Sequence, residues 1–366
     1  MASESAADRS NGGLEGVVVA TTALSDVDGE AGRLTIAGRD VETLAADGRF
    51  EPAVAALWDA ARVAERPDDV AAALGAARAA AFERLPSVLA LLSPTSAPVD
   101  GMSALRAAIA TLPSDADAVS VTAAVAVFAA AWSRLRVGAE PTSPVADAAH
   151  AADYLRMATG HAPSPAFARA MGAYLSTVSD HGMNASTFAA RVVASTGSDL
   201  VSSVVAAIGA LKGPLHGGAP GPVLDMIDAI GSPDRADAWV AAELDAGRRI
   251  MGMGHRVYRV RDPRAAVLER AVEALRAAGA HTPRLELARA VEGVAAGALA
   301  KKYPARSLQA NVEFYTAVLL DALGLDREAF TPTFAVGRVA GWCAHVAEQR
   351  ARGRLIRPAS IYDGAR

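Results

Sequence analysis

Three short segments of this chain hold side chains suited to acid–base chemistry, and two of them strip bulk away from a histidine. In "LKGPLHGGAPGP", His216 stands between Gly213-Pro214 and Gly217-Gly218. Gly and Pro are poor helix formers, so a helical chain stops here. Small flanks let a ligand approach the main chain. Backbone N–H groups at a following helix start would favour an anionic ligand or developing negative charge. A surface loop with an incidental histidine accounts for the pattern about equally well.

In "MGMGHRVYRVRDPRA", His255 again follows glycines, and Arg256, Arg259, Arg261 and Arg264 come after it. Guanidinium forks match carboxylates and phosphates; the plainer reading is a solvated basic helix start. In "NVEFYTAVLLDALGL", Glu313 lies beside Asn311 at the start of an apolar helix. A carboxylate among Val312, Phe314 and Tyr315 can have a raised pKa and act as a base. An ordinary helix-N-terminal Glu, stabilised by the dipole, explains the same letters, and on pattern alone that reading prevails.

Other chemistries are poorly represented. "GPLHGGAPG" lacks the Gly-Lys-Ser/Thr ending of a P-loop, and "MGMGH" lacks both the third glycine of a dinucleotide fold and a preceding strand. No HExxH, CxxC or GxSxG occurs, and the histidines are too scattered for a local metal cluster. No metal and no cofactor are expected. A formal charge of −4 gives no drive toward nucleic acid or an anionic membrane. The longest apolar run, Ala123–Trp132, is short for a bilayer and reads as a buried helix. The lone Cys343 permits no internal disulfide and reads as an inert core thiol. Residues 1–13 are polar, unlike a signal peptide, and are expected to be disordered. A cytoplasmic location is the expectation.

The elements that must position these groups are mostly helices. Of 366 residues, 52% are hydrophobic but only 5% aromatic, so the core must be built from Ala, Val and Leu. One β signal comes early: "VVVATTALSDVDGEAGRLTIAG" flanks Asp28-Gly29 with β-branched runs, a hairpin pattern. After Gly38, apolar positions recur at helical spacing, with Pro, Gly or Asp at the joints. The longest helical stretch by pattern is "ASTFAARVVASTGSDLVSSVVAAIGALKG". The fold expected is all-α with a small N-terminal β hairpin. Composition shifts after residue 212, which suggests a large domain from residues 14–212 and 319–366 and a small inserted domain from 213–318.

Taken together, "DHGMNASTFAARVVASTGSDL", "GALKGPLHGGA", "GHRVYRVRDPRA", "NVEFY", "FTPTFAVGRVAGWCAH" and "RPASIYDG" resemble the citrate synthase family in order and spacing, over nearly the whole chain. The resemblance implies a two-domain all-α fold whose small domain closes over substrates. It also implies a homodimer or, in some bacterial branches, a hexamer, and the chain length favours the dimer. The implied reaction condenses acetyl-CoA, oxaloacetate and water to citrate and CoA. A propionyl-CoA-using 2-methylcitrate synthase is the near alternative, and a non-catalytic oxaloacetate- or CoA-binding paralogue the remote one.

By that resemblance His216 would stabilise the acetyl-CoA enolate, His255 would polarise the oxaloacetate carbonyl, and Glu313 would be the base. His181, Arg264 and Arg338 would hold oxaloacetate, joined by Arg357 from the other subunit. Arg259 would meet a CoA phosphate, with Met251, Gly252, Gly254 and Asn311 on the CoA side. His150, His161 and His281 read as surface or helix-end residues, and His345 as packed within the last helix. Two departures stand at the site: Glu313 replaces the family's usual Asp, and "GGAPG" replaces "GGANE", so that Pro220 removes a backbone donor.

Overall fold

The structure, a computed structural model, describes residues 14, 16–64, 66–93, 99–217, 220–362 and 364–365. The expected disorder of residues 1–13 lies outside the described residues. The hairpin forms around Asp28-Gly29: β1 (Ser25–Asp28) pairs antiparallel with β2 (Arg33–Ile36), Ser25 opposite Ile36 and Asp28 opposite Arg33. Asp28 Oδ1 accepts the Ala31 N–H across the turn at 2.9 Å. A short third strand, β3 (Arg39–Asp40), joins β2 and went unread because two residues carry no alternation.

Helices follow: α1 (Val41–Ala45), α2 (Glu51–Ala61), α3 (Val70–Glu83), α4 (Leu85–Leu92), α5 (Gly101–Ile109) and α6 (Ala118–Leu135). Next come α7 (His150–Thr159), α8 (Pro165–Thr177), α9 (Ala185–Ala194) and α10 (Leu200–Leu211). Beyond the His216 turn lie α11 (Pro220–Ile230), α12 (Ala236–Asp245), α13 (Pro263–Ala277) and α14 (Pro283–Lys302). The last two are α15 (Val312–Ala322) and α16 (Phe330–Arg352). Several of their starts are set by side-chain caps, among them Asp69, Asp117, Asn184, Asp199, Asp262 and Asn311, each accepting a first-turn N–H. Each such cap stabilises its helix by about 1 kcal/mol.

One expectation is corrected. The stretch from Ala185 to Gly213 is two helices, because Gly197 takes φ +83° and Asp199, accepting the Ser202 N–H, caps a new start at Leu200. The longest helix is instead α16, with 23 residues. Helix α6 is long and apolar enough in composition to cross a membrane, but it is mostly buried. It lies among α3, α5, α7 and α16. Cys343 is buried as expected, and burial pushes its thiol up to about 12.

Helix α16 packs on α2, α6, α8, α9 and α10, while α11, α13 and α14 pack around α15. The two groups meet where α13 and α15 touch α8, and one continuous apolar core runs through both. Close approach also fixes the site. A Cβ at Gly341 would lie 2.2 Å from the Ser179 carbonyl oxygen, so α16 presses directly on the segment before His181.

Candidate active site

His216 sits in the turn after α10, closed by its own N–H to the Gly213 carbonyl and by Gly217 N–H to Leu211. Its Nε2 accepts the Ser186 backbone N–H at 3.3 Å and lies 2.8 Å from Ser186 Oγ. A main-chain N–H only donates, so Nε2 is bare and the proton sits on Nδ1. Burial, helped by Arg338 and Arg264, pushes the His216 pKa down to about 4. The ring is a neutral donor near pH 7.

His255 is fixed in the opposite tautomer. Its Nδ1 accepts the N–H groups of Val257 at 3.0 Å and Tyr258 at 3.1 Å. The proton therefore sits on Nε2. Burial and then Arg264 push its pKa down to about 4, against the pull of Asp262. The buried His181 ring stands edge-on 5.5 Å from His255, with Nε2 3.2 Å from the Tyr258 hydroxyl. Burial first, then Arg264 and His255, hold His181 well below its ordinary pKa.

Glu313 occupies the first turn of α15, where its N–H donates to the Asn311 cap at 3.0 Å. The residue is only partly buried, yet its Oε2 is closed off from solvent and has no hydrogen-bond partner. Desolvation raises its pKa to about 7; Arg264 and Arg338 oppose that rise and Asp262 adds to it. Glu313 thus keeps its place at a helix start, with burial pushing its carboxyl above the ordinary range.

Two guanidiniums flank this carboxylate. Arg264 forms a fork with Asp262, Nε–Oδ1 3.0 Å and Nη2–Oδ2 2.7 Å. Asp262 Oδ2 also accepts the Val312 N–H at 3.1 Å, so one buried carboxylate places both Arg264 and the start of α15. Arg338, on α16, donates through Nε to the Val178 carbonyl at 2.5 Å, while its buried Nη2 has no partner. Desolvation lowers the Arg338 pKa to about 10, with Asp180 opposing. A buried cation with an unused donor calls for an anion.

The loop bearing Met251, Gly252 and Gly254 is zipped to the residues before α15. Asn311 N–H donates to Gly252 O at 2.9 Å, Gly254 N–H to Gln309 O at 2.7 Å, and Asn311 Nδ2 to Gly254 O at 2.8 Å. Gly252 and Gly254 both have positive φ, +73° and +87°. The Arg259 side chain is exposed beyond this loop.

Not every candidate joins the cluster. Arg357 is exposed in the tail after α16 and hydrogen-bonds none of the described site residues. Arg261 is taken up by ion pairs to Glu269 and Glu292, and Arg256 is exposed. His150, expected at a surface or helix end, is at a helix end but fully buried, with Nδ1 3.2 Å from Arg78 Nη1. His161 and His281 are exposed, and His345 is buried in α16. Pro220 is the first residue of α11, a position where the missing N–H is no loss.

Several contributors were not singled out from sequence. Ser186 and Asp262 lie inside quoted motifs and could have been found by asking what orients a histidine or an arginine. Tyr174, on α8, also escaped notice: its hydroxyl is buried without a partner, and the Glu313 charge helps raise its pKa. Among the described residues, no three His, Cys, Asp or Glu side chains group as metal ligands would.

A family profile described as "Citrate synthase, C-terminal domain" matches residues 13–359. A citrate synthase of Deinococcus radiodurans is 38% identical, covering 97% of this chain and 96% of its own length. A 2-methylcitrate synthase of Mycobacterium tuberculosis is 37% identical over 96% of this chain and 90% of its own. Among solved structures, the ternary complex of Thermoplasma acidophilum citrate synthase with carboxymethyl coenzyme A and oxaloacetate superposes with a TM-score of 0.84. It is 26% identical and covers 97% of this chain and 96% of that one.

Proposed function

The chain belongs to the citrate synthase family and is an acyltransferase of that type, and on that premise we propose that His216, His255 and Glu313 carry out its condensation. The observation that carries this reading is the pair of neutral histidines held in opposite tautomers, together with a carboxylate that has a free, buried oxygen, all three within reach of the Arg264 charge.

Glu313, its pKa near 7, takes a methyl proton from acetyl-CoA. The His216 Nδ1–H donates to the thioester oxygen as negative charge develops there, a neutral donor matched to an enolate. The enolate carbon then attacks the oxaloacetate carbonyl, whose oxygen is polarised by, and finally takes its proton from, the His255 side. Water cleaves the resulting thioester to citrate and free CoA. Arg264, Arg338 and His181 clamp the two oxaloacetate carboxylates, supported by the unused donor of Arg338 and by its burial. Arg259 and the Met251–Gly254 loop, tied to Asn311, face the CoA side.

The same reading gives a homodimer in which Arg357 reaches the partner's site. Its exposure in a tail with Leu355, Ile361 and Tyr362 also uncovered supports that. Residues 213–318 would form the closing domain. A cytoplasmic location fits the single, buried thiol. Propionyl-CoA is the second acyl donor to test, because one methylene discriminates by only about 1–3 kcal/mol and a 2-methylcitrate synthase is among the relatives.

The deciding experiment follows oxaloacetate-dependent release of the CoA thiol from acetyl-CoA and propionyl-CoA side by side. Faster release from acetyl-CoA is expected. Preference for propionyl-CoA would make the chain a 2-methylcitrate synthase, and no release from either would defeat the catalytic reading.

A further inference from the structure

We propose that the N-terminal β-hairpin is a positioning element for the reaction: Ser25 sets the turn carrying His181, and Gly29 sets the loop carrying His255. This rests on the site assignment above.

Ser25 opens β1 and works on both sides of His181. Its hydroxyl donates to Asp180 Oδ2 at 2.5 Å and accepts the Gly182 N–H at 2.7 Å. Asp180 is itself buried and held from behind by His345 Nε2, 3.1 Å from each carboxylate oxygen. His345 accepts from Arg191 Nη1 through Nδ1 at 3.0 Å, so its proton lies on Nε2 and points to Asp180. Arg191 pairs with Glu348, whose Oε1 takes the Ala23 N–H at 2.8 Å. The strand is thus anchored at Ala23 and Ser25 to one buried network, and the His181 turn is its far end.

Gly29, in the hairpin turn, governs the other histidine. Its carbonyl accepts the Arg259 N–H at 2.9 Å. A Cβ built on Gly29 would stand 2.3 Å from the Val257 carbonyl oxygen. That oxygen shares a peptide plane with the Tyr258 N–H, one of the two donors that fix His255 Nδ1. Pushing the oxygen turns the donor away. Gly29 is not among the positive-φ glycines, so alanine there brings the collision without backbone strain.

A hairpin that serves only stability would give a different result from one that positions the site. The test compares Gly29→Ala, Ser25→Ala and Ser25→Thr with Glu30→Ala, an exposed change in the same turn, by steady-state CoA release and thermal melting of the full chain. Gly29→Ala is expected to lower kcat by about 10²-fold, the loss a displacement of about 1 Å produces. Ser25→Ala is expected to raise the oxaloacetate KM about tenfold, as for one lost hydrogen bond. It should leave the acyl-CoA KM near wild type, and Ser25→Thr should recover most of the loss. Glu30→Ala should behave as wild type. Normal kinetics in Gly29→Ala and Ser25→Ala, or losses that merely follow the unfolded fraction and are matched by Ser25→Thr, would overturn the proposal. A wild-type chain that releases no CoA would instead overturn the functional reading on which it rests.

Discussion

Glu313 shows what a site residue gives up for its chemistry. Its pKa stands near 7, against 4.5 for an ordinary glutamate, because desolvation outweighs the nearby guanidiniums. Between those two values the folded chain holds a proton that the unfolded chain has lost, so stability falls as pH rises through about 4.5 to 7. Glu313→Gln should therefore melt above wild type at pH 8, with the gap closing below pH 4.5, while turnover falls about 10²- to 10⁴-fold and calorimetry still detects oxaloacetate. His216 and His255 act in the opposite sense. Their pKa values drop from 6.5 to about 4 on folding, so their contribution is complete above pH 6.5 and is lost as pH falls toward 4. The acid limb of kcat/KM should accordingly centre near pH 7 and belong to Glu313, since neither histidine titrates there in the folded chain. A limb left in place in residual Glu313→Gln activity would contradict that assignment.

At the scale of elements, much of the design was legible because caps and breakers are local. Asp28-Gly29 announced the hairpin, Pro, Gly or Asp at the joints marked the breaks between helices, and the glycines around His216 announced a stop. The motifs, through their family resemblance, also brought out His216, His255 and Glu313. What sequence hid was mainly pairing at a distance. Ser25 and Asp180 are 155 positions apart, and no periodicity relates them. The division of α9 from α10, by contrast, stood in local letters, Gly197 and the cap Asp199, within a stretch whose helical spacing reads as one helix. Asp262 is the element-scale junction, since it caps α13, forks to Arg264 and holds the first N–H of α15. Asp262→Ala would leave Arg264 charged and buried, and such a loss costs about 3–5 kcal/mol. Chemical denaturation should show it, against about 1 kcal/mol for removing the Asp117 cap of α6.

For the whole molecule, the proposed exchange of Arg357 between subunits makes each site a joint product, and that can be counted. In a two-fold dimer built from Arg357→Ala and Glu313→Gln chains, one of the two sites recovers both residues. Random mixing should then restore about a quarter of wild-type activity from two inactive parents; no recovery after verified subunit exchange would place Arg357 outside the site. A last consequence concerns what drift can reach. The donors that hold both histidines in their tautomers include main-chain N–H groups, at Ser186, Val257 and Tyr258. Every residue type except proline carries one. The identity of an exposed position such as Val257 can therefore wander across generations while the proton on His255 stays where it is. That tautomer is inherited with the chain path rather than with any letter, and among simple replacements at these positions proline is the one it would not survive.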